Sequence, residues 1–153
     1  MANKNFYSVA ELEEEVKKRI NSALREEVGD YVEDKLKEHI QSDIYNTYTP
    51  VSYERRTTSG GLLDDSNIRR TVTNNTLSVY EEAEIDGPRL GGEKFPNKDG
   101  LAQLIEHGAY NPWNKKRYRW MKPRKFVTNT QKEINSKYSQ ILKLLKNRIE
   151  NNK

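Results

Sequence analysis

Apolar residues recur at every fourth position along the first part of the chain: Leu12, Val16, Ile20, Leu24, Val28, Val32, Leu36, Ile40 and Ile44. Charged residues fill most places between them, the mark of a long amphipathic helix. Each four-residue step overshoots a 3.6-residue turn by about 40°, so on a straight helix the stripe winds around the axis. Such a helix must bend or break, with Gly29 the obvious place, or bury successive parts against different neighbours. A plain core helix and a helix at a subunit interface both fit the stripe. Its start is well marked. Ser8-Val9-Ala10-Glu11 reads as a capping box, and Tyr7 is placed to staple onto Leu12. Glu11, Glu13, Glu14 and Glu15 follow where the helix dipole favours negative charge.

Pro50 ends the helical signal. An extended connector over 45–56 carries Tyr45, Tyr48 and Tyr53 with the basic pair Arg55-Arg56, and the small residues of 57–61 form a flexible loop. Leu62 to Ile68 reads as a compact turn into a strand. Ile68–Thr73 and Thr76–Tyr80 alternate around Asn74-Asn75, which predicts an antiparallel hairpin. Glu81, Glu82, Glu84 and Asp86 make its far end acidic. Gly and Pro then mark a long loop near 86–100, before a short helix Leu101–His107 with Gly108 placed as its C-terminal cap. A second irregular stretch covers 110–123. The last helix runs from about Pro123 or Arg124 to Ile149, with Phe126, Val127, Thr130, Ile134, Tyr138, Ile141, Leu145 and Ile149 on one face. The expected fold is one α+β domain over 1–153: a long N-terminal helix, a small antiparallel sheet with its hairpin, a short helix, and a C-terminal helix packed on the sheet.

Composition sharpens this picture. Only 33% of the residues are hydrophobic and 33% are charged, with a mean hydropathy of −1.05. Self-contained domains carry nearer ~45–50% apolar residues with glycine included. Either part of the chain is disordered, or long helices with narrow stripes complete their burial in neighbouring subunits; the strong periodicity favours the second. The net charge of +4 and a pI near 9.1 do not by themselves establish a nucleic-acid binder. The absence of cysteine excludes disulfides and thiolate metal sites and suits synthesis in a reducing cytoplasm. No apolar run approaches the ~20 residues of a membrane span, and no secretory signal is evident.

Candidate chemistry is sparse. His39 reads as a solvated residue of the long helix, and His107 as a cation suited to a helix end. No pair of ligands shares a helix face at zinc-binding spacing. Ser59-Gly60-Gly61 lacks the Gly-Lys-Ser/Thr ending of a phosphate loop. Asp64-Asp65 and Glu81-Glu82 read as solvated charges. No enzymatic activity, metal or cofactor is expected.

One local cluster stands out. Lys115, Lys116, Arg117, Arg119, Lys122, Arg124 and Lys125 are interleaved with Trp113, Tyr118 and Trp120, with no acidic residue among them. The aromatics and cations suit stacking on single-stranded nucleic acid. They equally suit docking on an acidic surface, such as Glu81 to Asp86 of an adjacent copy. A solvated loop anchored by Trp113 and Trp120 is the third reading.

Three segments in order resemble the neck proteins of tailed bacteriophages, the head–tail joining and tail-completion family of the lambda minor tail protein Z type. Ser59-Gly60-Gly61-Leu62-Leu63-Asp64-Asp65-Ser66-Asn67-Ile68 is similar to that family's turn-to-strand segment, with Gly61, Leu63 and Ile68 at its motif positions. Leu104-Ile105-Glu106-His107-Gly108 resembles its helix end. Lys122-Pro123-Arg124-Lys125-Phe126 resembles its Arg-Pro-Phe entry into the last helix, with Pro123 and Phe126 matching. The order of elements agrees from about Ser8 to Ile149, whereas Ser59-Gly60-Gly61 replaces the family's Asp-Thr-Gly and the 113–120 segment is long and basic. The resemblance implies a non-enzymatic virion subunit made in the host cytoplasm. It implies self-assembly into a ring, commonly a hexamer, between head-closure or adaptor proteins and the tail tube or tail terminator. DNA would pass through the lumen without sequence-specific binding. A lumen that lets DNA slide should not clamp it, which turns the basic cluster towards protein contact. The contact residues are then Trp113, Lys115, Lys116, Arg117, Tyr118, Arg119 and Trp120, with Tyr45, Tyr48, Tyr53, Arg55 and Arg56. A small nucleic-acid-binding protein using 113–125 is the alternative.

Overall fold

The computed structural model describes residues 8–47, 49, 56, 59–83, 100–108 and 122–151. The fold is α+β. Tyr7, and most of the connector and of the loops at 86–100 and 110–123, lie outside the described residues.

The N-terminal stripe forms one continuous helical rod, and its four-residue step has a structural counterpart. Helix α1 (Val9–Ala23) passes through a π turn at Leu24–Val28 into α2 (Gly29–His39), then through a second π turn at Ile40–Ile44. A π turn takes one residue more than an α turn, which turns the face back by roughly 100°. Two of them recover roughly 200° of the roughly 320° that eight four-residue steps would otherwise drift. Gly29 is not a break, since its backbone is helical at φ −60°, ψ −48°. Successive parts of the rod do meet different neighbours. α1 packs on the last part of the C-terminal helical segment, α2 packs on the first part of that segment and on the second strand, and the first π turn packs on both strands and on the last part of the segment. Ser8 caps the rod, its Oγ accepting the Glu11 N–H at 3.2 Å.

Strands β1 (Ile68–Thr73) and β2 (Thr76–Glu81) pair antiparallel, with Ile68 opposite Glu81 and Thr73 opposite Thr76. Asn74 and Asn75 both have positive φ, 50° and 59°, the geometry of a two-residue turn that matches strand twist. Ile68, Arg70, Val72, Leu77, Val79 and Glu81 face inwards, and the alternate residues are exposed. Helix α3 (Leu101–His107) follows, its first N–H donated to the Ala83 carbonyl at 2.9 Å.

The C-terminal helix departs from the expected single element. It begins at Phe126 and divides into α4 (Phe126–Ser136) and α5 (Tyr138–Asn151). Lys137, at φ −101° and ψ 20°, leaves the helical region. Its N–H is shared between the Glu133 and Ile134 carbonyls, and Ser136 Oγ also donates to Glu133 O at 2.7 Å. Tyr138 and Val127, expected on the buried face, are exposed. α4 packs antiparallel on α2 and α5 on α1, and Phe126 at the head of α4 shares a core with Ile68 and Val79 of the sheet. That core joins Leu36, Ile40, Ile44, Leu62, Ile68, Ala83, Ala102 and Phe126, with Phe126, Ile40 and Leu62 fully enclosed.

Candidate functional site

The three segments that carry the resemblance meet in one place. Leu62 and Ile68 from the first, Ile105 from α3, and Phe126 at the head of α4 belong to the same core, with Ile105 packed at its edge. In the first segment Leu62 is enclosed in the core, and Leu63 is half-buried and packed against the core's edge.

Glu106 joins the second segment to the third. Its carboxylate is buried, 5% exposed, at the end of α3. It accepts the Val127 N–H at 2.9 Å, the Thr128 N–H at 3.3 Å and the Thr128 hydroxyl. Lys125, the residue preceding α4, makes no side-chain cap of its own. Glu106 therefore supplies from α3 the acceptor that an N-cap side chain normally offers to the second and third helical residues. Its negative charge also sits at the positive end of the α4 dipole, with Lys125 Nζ 3.9 Å away. The Arg124 N–H donates to the Ile105 carbonyl at 2.9 Å, and half-buried Pro123 precedes it. His107 is exposed, its Nδ1 accepting from Lys125 Nζ at 3.4 Å. Gly108 ends α3 as expected, at φ 73°, its N–H donated to Leu104 O at 2.8 Å.

The first segment is organised by a residue that its sequence marks only faintly. Asp64, read as a solvated charge, accepts from the Gly60 N–H at 2.6 Å, the Ser66 N–H at 2.9 Å and the Ser66 hydroxyl at 2.7 Å. The Ser66 hydroxyl, the Gly60 N–H and the Ser66 N–H hold its carboxyl below the usual carboxylate range. Asn67 Nδ2 donates to the carbonyl of buried Gly61 at 3.0 Å. The described part of the loop expected at 57–61 is thus a tied turn, with Gly60 at φ 66°. The Asp-x-Ser spacing was the available signal.

Two further clusters tie the N-terminal rod to its neighbours. Arg70 of β1 donates to the Arg25 carbonyl at 2.8 Å, within the first π turn, and reaches Asp30 at 2.6 Å and Glu33 at 2.7 Å. Its guanidinium lies over Gly29, where an added methyl group would sit 2.7 Å from Nη1. Gly29 thus provides room for an arginine. His39, expected to be solvated, is half-buried between Asp43 (Nδ1, 3.1 Å) and Glu133 (Nε2, 3.1 Å). Lys35 meets Glu133 at 3.3 Å, and Asn129 donates to Asp43 at 2.9 Å. Burial opposes ionisation of both carboxyls. For Asp43 it is outweighed by hydrogen bonds from Asn129, Ser42 and His39, and for Glu133 by Lys35 and His39, so both lie below their ordinary range.

Glu81, the other acid read as solvated, is half-buried on the inner face of the hairpin. Its Oε1 accepts the Ala83 N–H at 2.8 Å, while buried Oε2 has no hydrogen-bond partner among the described residues. Burial first, and then the neighbouring Glu82, pushes its carboxyl up from 4.5 to about 7 against the Ala83 N–H.

Of the expected contact residues, Tyr45 is half-buried at the core's edge and donates its hydroxyl to the carbonyl of exposed Arg56 at 3.0 Å. Tyr48, Tyr53, Arg55, Trp113, Lys115, Lys116, Arg117, Tyr118, Arg119 and Trp120 lie outside the described residues. Among the described residues no three His, Cys, Asp or Glu side chains are grouped to hold a metal ion, and no helix is long and apolar enough to cross a membrane.

Comparison with curated proteins and with solved structures gives no match. A family model described as YomN matches residues 8–151, from the Ser8 cap to the last described residue of α5. The chain therefore belongs to the YomN family and is a phage-associated protein.

Proposed function

We infer that this protein is a non-enzymatic virion subunit of a tailed phage, assembling into a ring at the head–tail junction through which DNA passes. The observation that carries the reading is the junction at Phe126. The three segments resembling neck proteins share one core, and Glu106 of one caps the helix begun by another. Membership of a phage-associated family and the low apolar content, 33%, support it. The ring partners are further copies, head-closure or adaptor proteins, and the tail tube or tail terminator. The basic segment 113–125 serves protein contact beside the path of DNA.

The test is mass spectrometry of purified virions of the phage encoding the chain, with electron microscopy of the neck in particles lacking it. The expected result is the chain at a fixed copy number, and tails that fail to join heads without it. Absence from virions, with normal joining when the gene is deleted, overturns the reading. Salt-sensitive affinity for single-stranded DNA in such a non-virion protein would favour nucleic-acid binding instead.

A further inference from the structure

The N-terminal rod outruns its partner helix. α5 lies antiparallel to α1, with Arg19 Nη1 donating to the Ile149 carbonyl at 3.2 Å and Arg148 reaching Glu26 at 2.6 Å and Glu27 at 3.2 Å. Past Ile149 the described part of α5 runs two residues more, to Asn151, whereas α1 extends ten residues past Arg19, to Val9. Yet Val9, Leu12 and Val16 continue the face on which Ala23 is fully buried, and they remain 73%, 44% and 38% exposed. A second apolar patch lies on α5. Just beyond the break at Lys137, Tyr138 and Leu142 stand one turn apart, 64% and 45% exposed.

The two patches carry opposite charge. Exposed Glu11, Glu13 and Glu14 lie beside Val9 and Leu12, with exposed Lys17 and Lys18 just beyond Val16. Exposed Lys137, Lys143 and Lys146 lie beside Tyr138 and Leu142, so the acidic part of the α1 strip is the part that complements α5. Within one chain they stay apart. Leu12 lies seven residues beyond Arg19, and Leu142 seven residues before Ile149, which places them about 20 Å apart along the arm. Two α1 strips facing each other would bring the carboxylates of both copies together.

We propose that the Val9–Leu12–Val16 strip of one copy docks on the Tyr138–Leu142 patch of a second copy, head to tail. The contact rests on the ring reading and gives it a surface. Because the two patches differ, each docked copy leaves one free patch of each kind at the ends of the chain of subunits. Repetition closes into a ring when the rotation between copies allows it. It also buries apolar area that one copy leaves in water.

The test uses the full chain and two variants, Leu12→Asp/Val16→Asp and Tyr138→Asp/Leu142→Asp, in sedimentation velocity across a concentration series. All four residues are exposed, and circular dichroism verifies that each variant keeps its helix. The wild type should associate with rising concentration into multiples of 17.9 kDa. Each variant alone should stay monomeric, and an equal mixture should form a dimer, because each supplies the patch the other lacks. Independently, Glu13→Lys/Glu14→Lys should weaken self-association at least tenfold, and adding Lys143→Glu/Lys146→Glu should restore it. A wild type monomeric at every concentration overturns the contact, as does a variant that assembles like wild type or a mixture that stays monomeric. If the chain is nonetheless found in virions, the contact fails while the ring reading stands.

Discussion

The Glu106 carboxylate, at the last turn of α3, accepts the backbone N–H of Val127, in the first turn of α4, at 2.9 Å. Two helices separated by some twenty residues of chain thus share one capping interaction, and the junction at Phe126 depends on it. Glu106→Ala should cost about 2 kcal/mol, because it leaves the part-buried donors of Val127 and Thr128 without their acceptor. Glu106→Gln keeps one acceptor oxygen and should cost less. Urea unfolding at neutral pH measures both. An alanine variant as stable as wild type would show that the cap contributes nothing.

Gly29 and Arg70 form a second pair whose coupling is measurable. Alanine in a helix interior normally stabilises by about 1 kcal/mol over glycine. Here Gly29→Ala should destabilise, since its methyl group would lie 2.7 Å from the Arg70 guanidinium. In an Arg70→Ala background the cost should shrink, because only the Leu24 carbonyl, 3.1 Å from the methyl position, then remains in the way. A double-mutant cycle measures that coupling; equal costs in the two backgrounds would show that Arg70 is not the obstacle.

Glu81 should make stability fall as pH rises. Its folded carboxyl titrates at about 7 against an ordinary 4.5, so between those values the folded chain holds more protons than the unfolded one. Stability then falls from pH 4.5 through 7, and the full cost remains above. Glu81→Gln should raise Tm at pH 8, change it little at pH 4, and flatten the slope between. Thermal unfolding followed by circular dichroism across that range is the measurement.

The cluster around His39 acts in the opposite sense. Asp43 and Glu133 are held below their ordinary range, so their contribution is present at neutral pH and lost as pH falls through the folded values. His39→Ala should lower stability by about 1 kcal/mol at neutral pH by removing the bridge between α2 and α4. It should also weaken the acid dependence. Unfolding curves at pH 7 and pH 3.5 compare the two.

Asn75→Gly should hold or raise stability by a few tenths of a kcal/mol, since φ 59° costs glycine nothing. Asn75→Val should lower it by about 1–2 kcal/mol, because a β-branched side chain resists that region. Both are read by urea denaturation.

Local chemistry made much of this molecule legible in the sequence. The Ser8 cap, the Asn74-Asn75 turn, the strand alternation and the Gly108 stop each depend on residues a few positions apart. Their periodicity and capping groups therefore specify them without distant partners. The strict four-residue step likewise left two outcomes open, a bend or break in the long helix or successive parts meeting different neighbours. Tertiary structure alone decided what absorbed the drift, which was two π turns, one of them with its Arg25 carbonyl bonded by Arg70 from forty-five residues away. It also decided that Asp64 and His39 are tied rather than solvated, that Leu62 is fully enclosed, and that the last helix breaks at Lys137. Above all, it placed the end of α3 against the start of α4. A carboxylate's role is set by which donors stand within about 3 Å of it, and for Glu106 those donors come from a part of the chain that only folding brings near.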